Sequence, residues 1–193
     1  MKKVSLLVMS AALYGIYMPP MIARQQQKQD KKEANKEFAD AVKRGNQFNI
    51  KKALEAGADN VNVKNSAGKT ALIFVVAADD LDTMRKLIAL DADINTADKE
   101  GMTPLMFAVW TGGNPDLIKE LVISGADITR KDNQGRTAEE IAKKMKSKTN
   151  KKLMSSKKMP SKEKKRIQKD IKSFDKIIAL LEDFKKQTED ETK

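Results

Sequence analysis

The chain of 193 residues contains no cysteine and no histidine. These absences exclude thiol nucleophiles, disulfide bonds and the usual zinc ligands, and they remove the most common general base. Aromatic residues make up only 5% of the sequence, with one tryptophan, Trp110. The sequence also lacks a glycine-rich phosphate loop and a nucleophile–base pair. We therefore expect a protein that is not an enzyme and that uses no cofactor and no metal ion.

The net charge of +11 is distributed unevenly along the chain. Residues 1–37 carry 7 basic and 3 acidic side chains, residues 38–142 carry 13 and 16, and residues 143–193 carry 18 and 8. The two ends are therefore basic, whereas the middle of the chain is mildly acidic.

The first 23 residues have the composition of an export signal. Two lysines follow Met1, and residues 4–23 carry no charge. This order predicts a signal peptide or an N-terminal anchor over residues 1–23. The Pro19–Pro20 pair and the basic residues that follow favour cleavage, and no lipobox cysteine is present. We expect an exported protein of the periplasm or cell envelope.

Residues 24–36 are polar throughout. A segment of this composition cannot bury a core, so we predict a polar linker or the frayed start of a helix.

The middle of the chain repeats with one period. Gly68–Leu72 recurs at 101–105 and 135–139, at offsets of 33 and 34 residues, and Gly57–Asp59 recurs at 91–93 and 125–127. Between these segments, apolar residues keep an i, i+3, i+4 spacing that predicts one helix in each unit. A single unit is too small to bury its apolar face, so we expect the units to stack around one continuous core.

Each unit carries its own turn and helix signals. An Asn or Asp stands three residues before the repeated glycine, which is a type I turn pattern. The following threonine is expected to cap the first helix, and these threonines are Thr70, Thr103 and Thr137. Asp91 occupies a helix-ending position where the other units have glycine, at a cost of about 1 kcal/mol.

This turn–helix–helix unit, with Thr-Pro-Leu at 103–105, resembles the ankyrin repeat. The resemblance implies an all-α repeat solenoid of helix-turn-helix units with β-turn tips, in a domain of residues 37–147. It supplies about three full units plus a split fourth unit. Met106 and Ile73 stand where the family has histidine, so we expect the packing to survive and the units to be less rigid.

The second helix of the fourth unit is delayed. Residues 161–186 place an apolar stripe at intervals of three and four, formed by Ile167, Ile171, Phe174, Ile178 and Leu181. We predict a C-terminal amphipathic helix that packs as the last repeat helix and caps the array, followed by a disordered tail at 187–193. A short coiled coil between chains is the alternative use of such a stripe, and capping predicts a monomer.

A basic insertion at 148–160 is predicted between the two helices of the fourth unit. Residues 143–169 hold 13 Lys or Arg and one acid, Glu163. The run is either a solvated, mobile segment or an attachment site for an anionic membrane or cell-wall surface. Nucleic acid is disfavoured because the run has one arginine and no interleaved aromatic residues.

The family resemblance also implies where a protein partner binds, namely the turn tips and the exposed positions of the first helices. Trp110 is either an aromatic anchor of this surface or packs against Ala77 and Met145. The candidate partner-binding residues are Lys69, Lys99, Glu100, Met102, Trp110, Thr111, Asn133, Gln134, Arg136 and Lys144.

Two functions remain open from the sequence. The first is a non-catalytic, exported protein that binds another protein through its turn tips and concave first-helix face. The alternative is an envelope-associated structural or scaffold factor attached to anionic surfaces through its lysine-rich C-terminal insertion.

Overall fold

A computed structural model describes residues 20–155 and 159–191. Within these ranges the chain forms eight helices and no named strand. The helices are α1 (Pro20–Arg44), α2 (Gln47–Glu55), α3 (Ala71–Ala77), α4 (Leu81–Ala89), α5 (Pro104–Trp110), α6 (Pro115–Ile123), α7 (Ala138–Ser155) and α8 (Ser161–Glu191).

The helices pair in chain order and stack in a row. The first helices α3, α5 and α7 pack side by side, and α8 packs against both α6 and α7. Leu72, Leu105 and Leu121 are at most 1% exposed and belong to one buried apolar cluster that runs from Ala34 to Leu181. The fold is therefore the predicted all-α repeat solenoid, in which each helical pair buries its apolar face against its neighbours.

Local side chains explain where several helices begin. The Thr103 hydroxyl accepts a hydrogen bond from the Met106 N–H at 3.3 Å, with Pro104 in the first turn of α5. At α7, the Thr137 hydroxyl accepts from the Glu140 N–H, and the Glu140 carboxylate accepts from the Thr137 N–H. This reciprocal pair is a capping box, and it fixes the start of the fourth unit.

The cap expected at Thr70 is not formed. Thr70 is 2% exposed and its hydroxyl caps nothing in α3. Among the described residues, it is the one buried side-chain oxygen or nitrogen without a hydrogen-bond partner. Such an unsatisfied group destabilises the fold, because it leaves water without gaining a replacement bond.

Replacing this hydroxyl by a methyl group is therefore expected to stabilise the fold. Thr70→Val should raise the free energy of unfolding by about 1 kcal/mol, since the shape is kept and the orphan oxygen removed. Thr103→Val should lower it by about 1 kcal/mol, because that threonine does cap its helix. Urea denaturation of both variants measures the two signs, and equal losses would contradict the assignment.

Two non-glycine residues in the described part of the chain have left-handed backbones. Asp79 and Asp91 both have φ of 59°, at loop positions where other units have glycine. The Asp79 carboxylate accepts a hydrogen bond from the Asn114 N–H at 3.0 Å and so joins two units. The left-handed position at Asp91 agrees with the sequence prediction, whereas Asp79 was not anticipated.

An asparagine in successive units bridges to the next loop. Asn62 and Asn95 each use both side-chain atoms: the amide donates to the carbonyl oxygen of Asp91 or Gly125, and the oxygen accepts from the N–H two residues later. These bridges fix the spacing between neighbouring units along the row. Asn35 binds the loop at Asp59 in a similar way.

Removing one bridge should weaken the array measurably. Asn95→Ala is expected to lower the free energy of unfolding by about 2 kcal/mol, because two hydrogen bonds between units are lost. Asn60→Ala is the matched control, since Asn60 joins the Asn35 bridge only through its backbone N–H. Equal stability losses for the two variants would show that the bridge contributes nothing.

The N-terminal polar segment is helical. Residues 24–36, predicted as a polar linker or the frayed start of a helix, lie inside α1. The helix is held because Ala34 and Phe38 are at most 3% exposed and Asn35 binds the following loop. The predicted signal peptide or anchor falls mostly on residues 1–19, outside the described residues. No helix in the described ranges is both long and apolar enough to cross a membrane.

The C-terminal region also differs from the predicted boundaries. Residues 148–155 of the predicted insertion continue α7 as helix, and α8 runs on through 187–191 of the predicted tail. The extension of α7 is held by ion pairs to α8, Lys146 with Asp175 and Lys152 with Glu163. Lysine is a good helix former, so the basic composition did not prevent helix formation.

Candidate partner-binding surface

One side chain closes each turn tip by hydrogen bonds to the backbone. The oxygens of Asn65, Asp98 and Asp132 each accept two backbone N–H groups from within their own turn. The glycine that ends each tip has a positive φ, which is 77° at Gly101. Loops with this geometry present the side chains between the acidic or amide residue and the glycine to solvent.

Neighbouring tips are also bonded to each other. The Lys99 N–H donates to the Ala67 carbonyl at 3.0 Å, and the Asn133 N–H donates to the Glu100 carbonyl at 3.0 Å. The Asn133 amide adds a bond to the Lys99 carbonyl at 2.8 Å. The tips therefore form one continuous edge, and a partner that binds there meets a preformed surface.

Most of the predicted binding residues lie at the surface. Lys69 and Arg136 are half-buried. The exposed ones are Lys99, Glu100, Trp110, Thr111, Asn133, Gln134 and Lys144.

The prediction for Met102 is wrong as a surface contact, because Met102 is 6% exposed and belongs to the core. Lys69 and Arg136 occupy the equivalent positions of the neighbouring units and stay half-exposed because their charges must reach water. The uncharged thioether of Met102 has no such requirement and packs inward.

An aromatic pair links the tips to the inner face of the first helices. The Lys69 ammonium lies 4.6 Å from the centre of the Phe107 ring, and the Phe107 ring meets Trp110 edge-on with centroids 6.2 Å apart. Phe107 is buried, whereas Trp110 is 51% exposed. Trp110 thus packs against the buried Phe107 ring, while about half of its surface remains exposed to solvent.

A cleft of about 490 Å³ separates Trp110 from α7. Ile141 and Met145 form its apolar floor together with the Trp110 ring. The remaining lining residues are polar or basic: Arg136, Lys144, Ser147, Lys148 and Lys151. The cleft therefore combines an aromatic surface with cations and contains no acidic lining residue.

Arg136 is occupied within the chain. Its guanidinium donates two hydrogen bonds to the Asp132 carboxylate, at 2.8 and 2.5 Å. Burial by itself would raise the pKa of the Asp132 carboxyl, but the bonds from Arg136 and from backbone N–H groups outweigh it and lower that pKa. Arg136 therefore stabilises the turn tip of the fourth unit. Its charge is largely neutralised by Asp132 within the chain.

The three lysines of the cleft are different. They lie at i, i+4 and i+7 on one face of α7. The ion pairs found within the described ranges use Lys143, Lys146 and Lys152 of this helix, and none uses Lys144, Lys148 or Lys151. Sequence reasoning included Lys144 but missed the other two, although their helical spacing was readable from the sequence.

The clustered acidic side chains of the repeats lie at helix starts. The described residues contain no group of three or more metal-ligating side chains. Asp80 caps α4, and Glu139 and Glu140 lie in the first turn of α7, where carboxylates stabilise helix starts.

Comparison with known proteins agrees with the fold. A model of ankyrin repeats in three copies matches residues 38–132. The chain is 31% identical over 112 residues to rat ankyrin repeat and SAM domain-containing protein 6, covering 58% of this chain and 12% of that protein. It is 32% identical over 98 residues to the E3 ubiquitin-protein ligase KEG of Arabidopsis thaliana, covering 50% and 6%.

A shorter mouse protein, protein phosphatase 1 regulatory subunit 27, is 28% identical over 98 residues, which cover 51% of this chain and 63% of that protein. The chain thus spans only a small part of the first two relatives, and most of each of those proteins lies outside the matched region. The ankyrin-repeat fold is typically non-catalytic and generally mediates protein–protein interaction. Both its repeat pattern and its stacked helical pairs show that the chain belongs to the ankyrin-repeat family.

Proposed function

We propose that this chain is a non-catalytic, exported protein that binds another protein through its turn tips and the inner face of α3, α5 and α7. The observation that carries the proposal is Trp110, which is 51% exposed in the middle first helix of the row. An exposed tryptophan supported by a buried aromatic ring is typical of the residues that dominate interface energetics.

The bonded turn tips support the same surface. Because the tips are fixed to one another before binding, little conformational entropy is lost when a partner contacts them. Lys99, Glu100 and Gln134 project from this edge and supply polar contacts around the aromatic centre. One of the relatives, protein phosphatase 1 regulatory subunit 27, has a name that describes a regulatory role.

The proposal is tested with a partner recovered by crosslinking from the native source. Trp110→Ala should weaken binding of that partner by about thirtyfold, because an aromatic anchor contributes about 2 kcal/mol. Phe48→Ala is the matched control, since Phe48 is 75% exposed on α2, outside the inner face. Unchanged affinity for Trp110→Ala, with unchanged melting of the chain, would refute the proposal.

Export is a separate part of the proposal. It rests on the uncharged run of residues 4–23 after two lysines. Cell fractionation with mass spectrometry of the mature N-terminus tests it, and recovery of the uncleaved chain in the cytosol would refute it.

A second function is favoured by one observation, the 13 basic side chains against one acid in residues 143–169. In this alternative the chain is an envelope-associated scaffold held on an anionic surface by these residues. Such a contact should weaken steeply with salt, because screening shortens to about 10 Å at 0.1 M. Binding centred on Trp110 should change much less over the same range.

A further inference from the structure

The first helix of the fourth unit, α7, is much longer than the first helices of the second and third units. The helices α3 and α5 have 7 residues each, whereas α7 has 18. All three follow the equivalent threonine, so Ala77, Trp110 and Lys144 end the same seven-residue stretch. The remainder of α7, residues 145–155, therefore projects beyond the row and forms a wall beside Trp110.

This wall is what turns the inner face into a cleft. Lys148 and Lys151 belong to the projecting part, and Lys144 lies at its base. Lys146, on the opposite face of the helix, is paired with Asp175 of α8, and Lys152, four residues after Lys148, is paired with Glu163. Two lysines of this part of the helix are thus paired with acids of α8, whereas the three lysines that line the cleft, next to the exposed indole ring, form no ion pair within the described ranges.

We propose that the cleft between Trp110 and the projecting end of α7 binds an extended acidic peptide segment of the protein partner, with one apolar side chain seated on Trp110. This inference rests on the proposed function and specifies the partner's chemistry. The cleft has no acidic lining residue, so a carboxylate that enters it meets only attraction.

The spacing of the lysines fits an extended chain. Lys144 and Lys148 are four positions apart in the helix, which corresponds to about 6 Å along its axis. Alternate residues of an extended peptide lie about 6.6 Å apart on one side. Two carboxylates two positions apart can therefore face these two lysines, and the apolar residue flanks them on the Trp110 side.

The cleft's shape and composition favour a peptide over other anions. A single-stranded nucleic acid is bound by several aromatic platforms, and the cleft offers one. An anionic membrane is flat and cannot follow cations into a cleft whose floor is formed by Ile141 and Met145. A volume of about 490 Å³ accommodates a few side chains of one extended strand.

The single tryptophan makes the test direct. The full chain is titrated with a tryptophan-free peptide that carries one leucine followed by glutamates at alternate positions, at physiological ionic strength. Binding should change the emission of Trp110 in a saturable way. The same peptide with glutamine for every glutamate, and a second with serine for leucine, should each bind about tenfold more weakly or worse.

Matched charge variants locate the site. The triple variant Lys144→Gln, Lys148→Gln, Lys151→Gln should weaken peptide binding by about tenfold or more. The control triple Lys162→Gln, Lys165→Gln, Lys169→Gln removes the same charge from exposed positions of α8 and should change affinity by less than about twofold. Equal weakening in both triples would overturn the inference, because it would indicate attraction by net charge alone.

Two further outcomes would also overturn it. One is the absence of any saturable change in emission. The other is displacement of the peptide from the cleft by phosphatidylglycerol vesicles or an oligothymidine at lower concentrations than the peptide itself needs. If the native partner still depends on Trp110 while the acidic peptide fails to bind, the proposed function stands and the inference fails. If the peptide binds as described but the native partner ignores Trp110→Ala, the proposed function fails instead.

Discussion

Gly101→Ala is expected to lower the free energy of unfolding by about 3 kcal/mol, against about 1 kcal/mol for Gly135→Ala. Both glycines end a turn tip with a positive φ, 77° and 75°, so both substitutions carry the same backbone strain. The difference comes from the neighbouring unit. A methyl group at Gly101 would lie 2.8 Å from the Asn133 backbone nitrogen, whereas at Gly135 it would meet nothing within 4 Å.

The large effect follows because the clash is with backbone that is itself bonded. The Asn133 N–H donates to the Glu100 carbonyl at 3.0 Å, so the two tips cannot separate without breaking their link. Chemical denaturation of the two variants measures the difference. Equal losses would mean that the tips are not in contact in solution, and the continuous edge assigned to partner binding would then be absent.

The repeat pattern is sufficient to predict the fold, because successive units show the same turn residues and the same apolar spacing. The glycines at one period require positive φ, and the apolar spacing requires a neighbour to cover it. Leu72, Leu105 and Leu121 accordingly share one core. The asparagine bridges between units were missed, although Asn62 and Asn95 recur at an offset of 33 residues. These bridges are formed by polar side chains, so the spacing of apolar residues does not predict them.

The surface was harder to predict than the fold. Lys69, Met102 and Arg136 occupy equivalent positions, yet only the uncharged member is buried. Equivalent backbone positions do not fix side-chain exposure when one side chain can tolerate losing water and the others cannot. Arg136 shows a second reason, since its pairing with Asp132 depends on a local geometry that the sequence does not specify.

The lysine-rich composition predicts an insertion at 148–160, whereas helix propensity favours a continuous helix there. Residues 145–155 contain no glycine and no proline, so nothing in them ends α7. The helix packs along α8 and pairs with its acids, as in the pair of Lys152 with Glu163 at 3.4 Å. The composition of residues 148–160 does not indicate this packing, and the sequence therefore does not predict the wall beside Trp110.

Phe174→Ala is expected to lower the free energy of unfolding by about 3–5 kcal/mol. Phe174 of α8 is 4% exposed and covers the loop that joins α5 to α6, where a methyl group at Gly112 would lie 3.2 Å from its ring. Phe74 of α3 covers Gly45 in the same way in the first unit. The C-terminal helix α8 thus places an aromatic ring over the loop of the third unit, and Phe74 of the second unit places one over the loop of the first unit.

The matched control is Phe48→Ala, because Phe48 is 75% exposed and its removal should change stability by less than about 0.5 kcal/mol. Amide hydrogen exchange adds a spatial readout. In a row of units each stabilised by its neighbours, loss of the cover should speed exchange first in α6, α7 and α8 and least in α2. A uniform increase along the chain, or no loss of stability, would show that α8 does not close the row. In that case the wall beside Trp110 would also lack support, because the projecting end of α7 packs against α8 and is paired with its acids.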